Sequence, residues 1–174
     1  MSEVLRRWNF LPRAAAANEI LPCCGSKAWA EKITARRPLP DEKVLLAASD
    51  EIWQSLPESE WLEAFRSHPR IGESSTPNGV AHRSTVWADQ EQRNVAQGGD
   101  AIRTALAQAN REYERRFNRI FIVCATGKSS EEILKIIQRR LNNDERTELL
   151  EAAEQQRQIT QLRLRKWLQE EDAR

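Results

Sequence analysis

The feature that most constrains the fold of this chain is the spacing of its core-facing residues, which is clearest near the C-terminus. Along residues 144–170, such positions recur three or four residues apart, the repeat of one face of an α-helix. The pattern predicts a long terminal helix with this stripe turned towards the core. Its members are Leu149, Ala152, Ala153, Gln156, Ile159, Leu162 and Trp167.

The same period predicts further helices along the rest of the chain. Ser55 with Glu58, Ser129 with Glu132 and Asn142 with Glu145 have the spacing of helix-capping pairs. Residues after His68 as far as position 82 are rich in Ser, Pro, Asn and Gly, which predicts a loop. We therefore expect an all-α fold, a single compact domain of about seven to eight helices over residues 1–174. The further predicted helices cover residues 12–21, 27–37, 41–55, 57–66, 85–96, 100–117 and 130–141.

One stretch, near residues 119–126, does not follow the helical pattern. From Ile120 to Ala125 it is a continuous apolar run with several β-branched residues. A single strand would have no partner in a helical chain. The sequence therefore predicts a buried irregular or extended segment whose backbone groups need partners elsewhere.

Composition excludes several classes of protein. Lys plus Arg is 27 and Asp plus Glu is 26, a net charge of +1, which argues against a nucleic-acid partner. No apolar run approaches the roughly 20 residues of a membrane span. The N-terminus lacks a secretory pattern and the chain ends EDAR, not a peroxisomal signal, so we expect the cytoplasm. Three cysteines and two histidines make a zinc site hard to assemble, so we expect no metal.

His68 is the first candidate for chemistry. Pro69 disfavours helical geometry at the preceding residue, so the helix before it should end near His68. An imidazole at a helix C-terminus, beside a polar loop, is suited to general acid–base work near neutral pH. The alternative is a histidine that caps the helix and has no chemical task.

Glu91 is the second candidate. At helical spacing it shares a face with Ala88 and Gln92, and Trp87 borders that face. A carboxylate beside an aromatic ring and a carboxamide can orient an imidazole or bind the N–H groups of a heterocycle. The alternative is a solvated polar face, because Asp89 and Gln90 are polar too.

Arg163 is the third candidate, because it lies inside the core-facing stripe of the terminal helix. A guanidinium facing inward needs an anion, and Arg binds carboxylates through two parallel hydrogen bonds. Its partner is either Glu91, in a structural ion pair, or the carboxylate of a substrate. Cys124, within the apolar run, is typical of a small core residue.

Taken in order, segments along nearly the whole chain resemble the OHCU decarboxylases (2-oxo-4-hydroxy-4-carboxy-5-ureidoimidazoline decarboxylases). The most specific parts are residues 67–73, Ser-His-Pro-Arg-Ile-Gly-Glu, and residues 121–129, Phe-Ile-Val-Cys-Ala-Thr-Gly-Lys-Ser. The other matching pieces are Arg36-Arg37-Pro38, Phe65, Glu91-Gln92, Tyr113, Arg116-Phe117, Arg139-Arg140-Leu141 and residues 159–164.

The resemblance implies a helical, commonly dimeric, cofactor-free lyase that yields (S)-allantoin. It implies that His68 is the catalytic histidine, Glu91 the essential glutamate and Arg163 the carboxylate-binding arginine. Two positions depart from the family pattern, Ala88 in place of a frequent Ser and Asn118 in place of a frequent Gly. The substrate-contacting residues it implies are Pro69, Ala88, Asp89, Gln90, Glu91, Gln92, Phe121, Ile122, Val123, Cys124, Ala125 and Arg163.

Two other functions remain open from the residues. One is a non-catalytic helical interaction domain, in which the three candidate residues form a buried structural network. The other is a hydrolase acting on a related ureide, which would need an activated water beside His68 and would release no CO₂.

Overall fold

The computed structural model describes residues 2–72 and 82–170. Within these ranges it has nine α-helices, two 3-10 helices and no strand, so the predicted all-α class is confirmed and the helix count exceeds the predicted seven to eight. Residues 73–81 of the predicted loop and the C-terminal residues EDAR lie outside the described residues. The α-helices are α1 (Glu3–Phe10), α2 (Arg13–Ile20), α3 (Lys27–Ala35), α4 (Glu42–Ser55), α5 (Glu58–Arg66), α6 (His82–Glu91), α7 (Asp100–Phe117), α8 (Ser130–Arg140) and α9 (Glu145–Gln169).

Helix α1 is the helix that the sequence analysis missed. The Ser2 hydroxyl accepts a hydrogen bond from the Leu5 N–H at 3.2 Å, and Glu3 lies in the first turn, where the helix dipole favours an acidic side chain. Val4, Leu5 and Trp8 are buried. A serine followed by apolar residues at this spacing was the available signal.

The capping predictions had mixed outcomes. The Ser129–Glu132 capping box at the start of α8 is confirmed, because both reciprocal hydrogen bonds are present. The predicted role of Ser55 is wrong, since its hydroxyl donates to the Ile52 carbonyl of its own helix α4 at 2.8 Å. The predicted role of Asn142 is also wrong. Asp144 caps α9 through the Thr147 N–H at 2.8 Å, because it directly precedes the first turn and its carboxylate reaches the free N–H groups there.

The predicted helix at residues 85–96 differs in both bounds. α6 begins at His82, where the Arg83 guanidinium lies over the Trp87 ring one turn later, 5.8 Å from its centroid. It ends at Glu91, and a turn leads into a 3-10 helix at Val95–Gln97. No membrane-spanning helix occurs in the part of the chain that the structure describes.

The chain divides into two compact units, and the first comprises Met1–Ala64 with Arg157–Arg174. In it α2 packs on α3 and α3 on α4. Its core contains Trp8 and Trp167, whose rings meet edge to face with centroids 5.7 Å apart. The Trp8 indole N–H donates to the Ala16 carbonyl at 2.9 Å, so the buried ring keeps its polar atom bonded.

The second unit is Phe65–Gln156. Here α7 packs on α8, and a 3-10 helix at Val95–Gln97 packs on α8 as well. The prediction of a single domain over residues 1–174 stays a prediction. The core cluster of this unit consists of Ile71, Val95, Leu106, Ala109, Tyr113, Phe117, Phe121, Val123, Ala125, Ile133 and Ile137.

Asn118 ends α7 in the left-handed conformation, with φ of 49°. Its N–H donates to the Glu114 carbonyl at 2.8 Å. Asparagine tolerates this conformation better than other residues with a side chain. The departure from the family pattern at this position therefore keeps the backbone geometry that glycine would provide.

Candidate active site

His68 lies in the turn that follows α5, as the position of Pro69 predicted. Its N–H donates to the Phe65 carbonyl at 3.2 Å, two residues beyond the end of the helix. The residue is 8% exposed, and its Nε2 lies 2.7 Å from Oε1 of Gln156 on α9. The imidazole is therefore buried and oriented by a carboxamide from a helix 88 residues away in sequence.

The segment from 68 to 72 is held by side chains of α7 and by Gln92, in addition to the contact of His68 with α9. Arg70 forms a two-pronged ion pair with Glu114 of α7, at 2.5 and 3.0 Å. The Ile71 carbonyl accepts a hydrogen bond from Asn110 Nδ2 at 2.9 Å. The Gly72 N–H donates to Oε1 of Gln92 at 2.9 Å. Pro69 is half-buried. These contacts fix a non-helical turn whose backbone has no secondary structure of its own.

Gln92 connects this turn to the end of α6, where the second group of predicted residues lies. Ala88 is buried, and Glu91 and Gln92 are half-buried, whereas Asp89 and Gln90 are exposed. The Ala88 carbonyl accepts the Gln92 N–H at 3.0 Å, the last α-helical bond here. The inward face predicted from the spacing is thus present, and the substrate-binding role of these five residues stays a prediction.

The 121–125 segment is irregular and buried at all five residues, which confirms the prediction for this stretch. Its backbone groups have side-chain partners, as expected. Ile122 C=O accepts from Arg140 Nη1 at 2.7 Å, and Cys124 N–H donates to Gln155 Oε1 at 2.9 Å. Cys124 C=O accepts from Lys128 Nζ at 2.7 Å. Cys124 is buried and forms no disulfide, so the expected core cysteine is confirmed.

A buried charged cluster stabilises that segment, and the sequence analysis assigned it no role. Arg140 and Glu148 are both fully buried, and the guanidinium Nε donates to Glu148 Oε1 at 3.0 Å. Arg140 also lies over the Phe121 ring, 4.6 Å from its centroid. The Tyr113 hydroxyl donates a hydrogen bond to the same carboxylate, and burial raises the pKa of this phenol. The two residues are eight positions apart, on either side of the link between α8 and α9, so the spacing rules for a single helix do not connect them.

Arg163 belongs to the first unit and is 1% exposed, so the predicted inward orientation is confirmed. Its Nη1 donates to the Pro22 carbonyl at 3.3 Å. Burial raises the pKa of the neighbouring Cys24 thiol to about 12, although the charge of Arg163 acts in the opposite direction. The gathering of Arg163 with His68 and Glu91 around one substrate stays a prediction.

No group of three or more His, Cys, Asp and Glu residues suited to a metal ion occurs in residues 2–72 and 82–170. The expectation of a metal-free and cofactor-free site, which rests on composition and on the family resemblance, stays a prediction.

Comparison with known proteins places all three candidate residues inside one matched region. The model of the OHCU decarboxylase family matches residues 9–165. The chain is 30% identical over 152 residues to a 2-oxo-4-hydroxy-4-carboxy-5-ureidoimidazoline decarboxylase from Amia calva, covering 87% of this chain and 83% of that protein. It is 32% identical over 151 residues to the uric acid degradation bifunctional protein TTL of Arabidopsis thaliana. That match covers 83% of this chain and 44% of the relative, so the chain spans less than half of the bifunctional protein.

Among solved structures, the fold is similar to that of an OHCU decarboxylase crystallised in the presence of (S)-allantoin. The TM-score is 0.75 at 32% sequence identity, and the match covers 88% of this chain and 99% of the other.

Proposed function

This chain belongs to the OHCU decarboxylase family, and we propose that it converts 2-oxo-4-hydroxy-4-carboxy-5-ureidoimidazoline to (S)-allantoin without metal or organic cofactor. The observation that carries the proposal is the buried imidazole of His68, held by Gln156 within the region that the family model matches. A histidine that only ended a helix would need neither burial nor a partner from a distant helix.

The chemistry of this substrate requires no external electron sink. The carboxylate is attached to a carbon next to a C=N bond. When the bond to the carboxylate breaks and CO₂ leaves, its electron pair forms a carbon–carbon double bond and displaces the imine pair onto nitrogen, which takes a proton. Loss of the hydroxyl proton and delivery of a proton to the ureido-bearing carbon then give the ring carbonyl and a new C–H centre.

We assign these proton movements to His68, because histidine is the side chain that most often serves in general acid–base catalysis. Delivery from one fixed side of the ring would make the product one-handed. General acid–base catalysis of this kind contributes about 10²–10⁴ in rate. The rest of the rate enhancement must come from the orientation of the substrate and from charged and polar groups that are already in place before the reaction starts.

Binding is assigned to the other predicted residues. Arg163 would hold the carboxylate through paired hydrogen bonds, and its burial supports that role because an ion pair is stronger away from water. Glu91 and Gln92 would fix the ring, with Pro69, Ala88, Asp89 and Gln90 beside it. The 121–125 segment would present backbone groups to the ureido moiety.

Three properties of the whole protein belong to the same proposal. The chain forms one domain over residues 1–174, acts in the cytoplasm, and assembles as a homodimer. Light scattering coupled to size-exclusion chromatography tests the last of these. A mass of one chain at micromolar concentration would contradict the dimer without touching the reaction.

The reaction is tested with substrate generated in situ by enzymatic oxidation of urate. We expect the wild type to release CO₂ and to form optically active allantoin. His68→Asn should fold normally and lose at least about a hundredfold in turnover, because the proton-transfer group is gone. His82→Asn is the matched control, since His82 is the other histidine and is exposed.

The outcomes separate the competing functions. Near-normal turnover of His68→Asn would contradict the assigned role. A chemical product without CO₂ would indicate the hydrolase, and no product from the wild type would indicate the interaction domain.

A further inference from the structure

Two adjacent glutamines of α9 bind two different parts of the candidate site. Gln156 Oε1 lies 2.7 Å from His68 Nε2, and Gln155 Oε1 accepts the Cys124 N–H at 2.9 Å. Gln156 is fully buried and Gln155 is half-buried. Neither residue belongs to the catalytic or substrate-contacting set proposed above, and the sequence analysis treated Gln156 only as a member of the core-facing stripe.

The first contact determines where the imidazole carries its proton. A carboxamide oxygen only accepts hydrogen bonds, so a neutral His68 bound to it carries its proton on Nε2. Nδ1 is then the nitrogen that gains and loses a proton. Without the Gln156 oxygen, this acceptor would no longer hold the proton on Nε2, and a smaller part of the population would have the reactive arrangement.

The second contact acts on the buried 121–125 segment. Its backbone lacks the regular hydrogen bonds of a helix or sheet, so side chains must bind its polar groups. Gln155 binds the N–H of Cys124, within the segment that would contact the substrate. Without this bond, the segment would have a polar group buried without a partner and a less defined position.

Adjacency on a helix connects the two contacts. Consecutive Cα atoms are about 3.8 Å apart and their geometry is fixed by the hydrogen bonds of the helix. The α9 backbone therefore sets the distance from the His68 imidazole to the 121–125 segment through one rigid dipeptide. Loops that approach a site from separate parts of the chain need such a common reference.

We propose that Gln155 and Gln156 are positioning residues of the decarboxylase site, Gln156 selecting the Nε2–H tautomer of His68 and Gln155 fixing the 121–125 segment that contacts the substrate. This inference rests on the proposed function for its effect on catalysis. Its structural part, the tautomer of His68, is independent of any activity.

Nitrogen-15 NMR of the histidine side chains tests the structural part in the substrate-free protein. The chain has only two histidines, so the spectrum is simple, and the exposed His82 serves as an internal reference. At a pH where His68 is neutral, we expect one tautomer with the proton on Nε2. Gln156→Leu should give a mixture of tautomers, and Gln156→Glu should restore the single form because a carboxylate oxygen also accepts.

Steady-state kinetics test whether Gln156 acts mainly on kcat and Gln155 mainly on KM. Gln156→Leu should lower kcat about 10- to 100-fold with little change in KM, since it misaligns the proton-transfer group. Gln155→Leu should raise KM about fivefold with nearly unchanged kcat, which is the effect of one neutral hydrogen bond. Gln156→Glu should recover kcat to within about fivefold of the wild type. Gln169→Leu, at an exposed glutamine of the same helix, is the matched control and should change neither constant.

Three results would overturn the inference. They are a single Nε2–H tautomer that persists in Gln156→Leu, a wild type with the proton on Nδ1, and equal loss of kcat in Gln155→Leu and Gln156→Leu. If Gln156→Leu does not fold, Gln156→Met replaces it in the same measurements. A wild type that shows the expected tautomer but releases no CO₂ would leave the histidine contact established and contradict the proposed function instead.

Discussion

Two non-helical segments of the second unit, residues 68–72 and 121–125, are fixed in different ways. The 121–125 segment is buried throughout, and the fully buried Arg140 binds one of its carbonyls. In the 68–72 segment only His68 and Ile71 are buried, and it is held by separate polar contacts that reach the surface. The comparison teaches that irregular backbone can be stabilised either by burial around a charge or by several weaker contacts.

The two solutions have different energetic consequences. A buried ion pair contributes little net stability when intact, but removing one partner leaves an uncompensated charge. Hydrogen bonds at half-exposed positions can be replaced by water at small cost. We therefore expect single substitutions around the 121–125 segment to affect stability more than those around the 68–72 segment.

The largest effect is expected from Arg140→Met. It leaves Glu148 buried without its cation and should lower the free energy of unfolding by about 3–5 kcal/mol. Urea denaturation followed by circular dichroism measures this. Arg139→Met is the matched control, because the neighbouring arginine is 59% exposed and its ion pair with Glu151 should contribute about 0–1 kcal/mol. Equal losses of unfolding free energy in the two variants would mean that the buried charge is no more important for stability than the exposed one.

An intermediate effect is expected from Asn110→Leu. The change removes the hydrogen bond to the Ile71 carbonyl at a buried position and should cost about 1–3 kcal/mol. The same urea experiment measures it, with Gln108→Leu as the control at an exposed position of α7. A cost above that of Arg140→Met would show that the 68–72 segment, not the charged cluster, is the more tightly held.

The smallest effect is expected from Glu114→Gln, which removes the charge that pairs with Arg70. Both side chains are partly exposed, at 28% and 46%, so the loss should be about 0–1 kcal/mol and should shrink further in 1 M salt. Unfolding at low and high salt gives the comparison. A loss that is large and independent of salt would mean that this pair is shielded from solvent and contributes more than a surface ion pair.

Local patterns were sufficient for most of the helices but not for all of their ends. The bounds of α7 were predicted to the residue, because Gly98 and Gly99 mark the break before it. Those of α4 and α8 were predicted to within one residue, and each of these helices has a capping side chain directly before its first turn. The true cap of α9, Asp144, was missed, since several polar residues in a row can each supply a cap. The end of α6 was predicted five residues too late, at 96.

The candidate site was predictable only in part, because sequence patterns report contacts between residues that are close in the chain. Pro69 and the apolar run at 121–125 revealed where the backbone leaves the helical pattern, because both signals are local. Two of the partners are distant in sequence, since Arg140 binds the Ile122 carbonyl from 18 positions away and Gln156 binds the His68 side chain from 88 positions away. Nothing in the spacing of residues connects them.

The sequence by itself determined the helical class, the inward orientation of Arg163 and the break at His68, since periodicity, capping and proline geometry act over a few residues. The tertiary structure decided that Gln156 orients the imidazole, that Glu148 accompanies Arg140, and that Gln92 binds the turn at Gly72. These are choices among many polar side chains of similar chemistry. Packing alone selects among them, because a buried polar atom bonds to whichever partner the fold brings within about 3 Å.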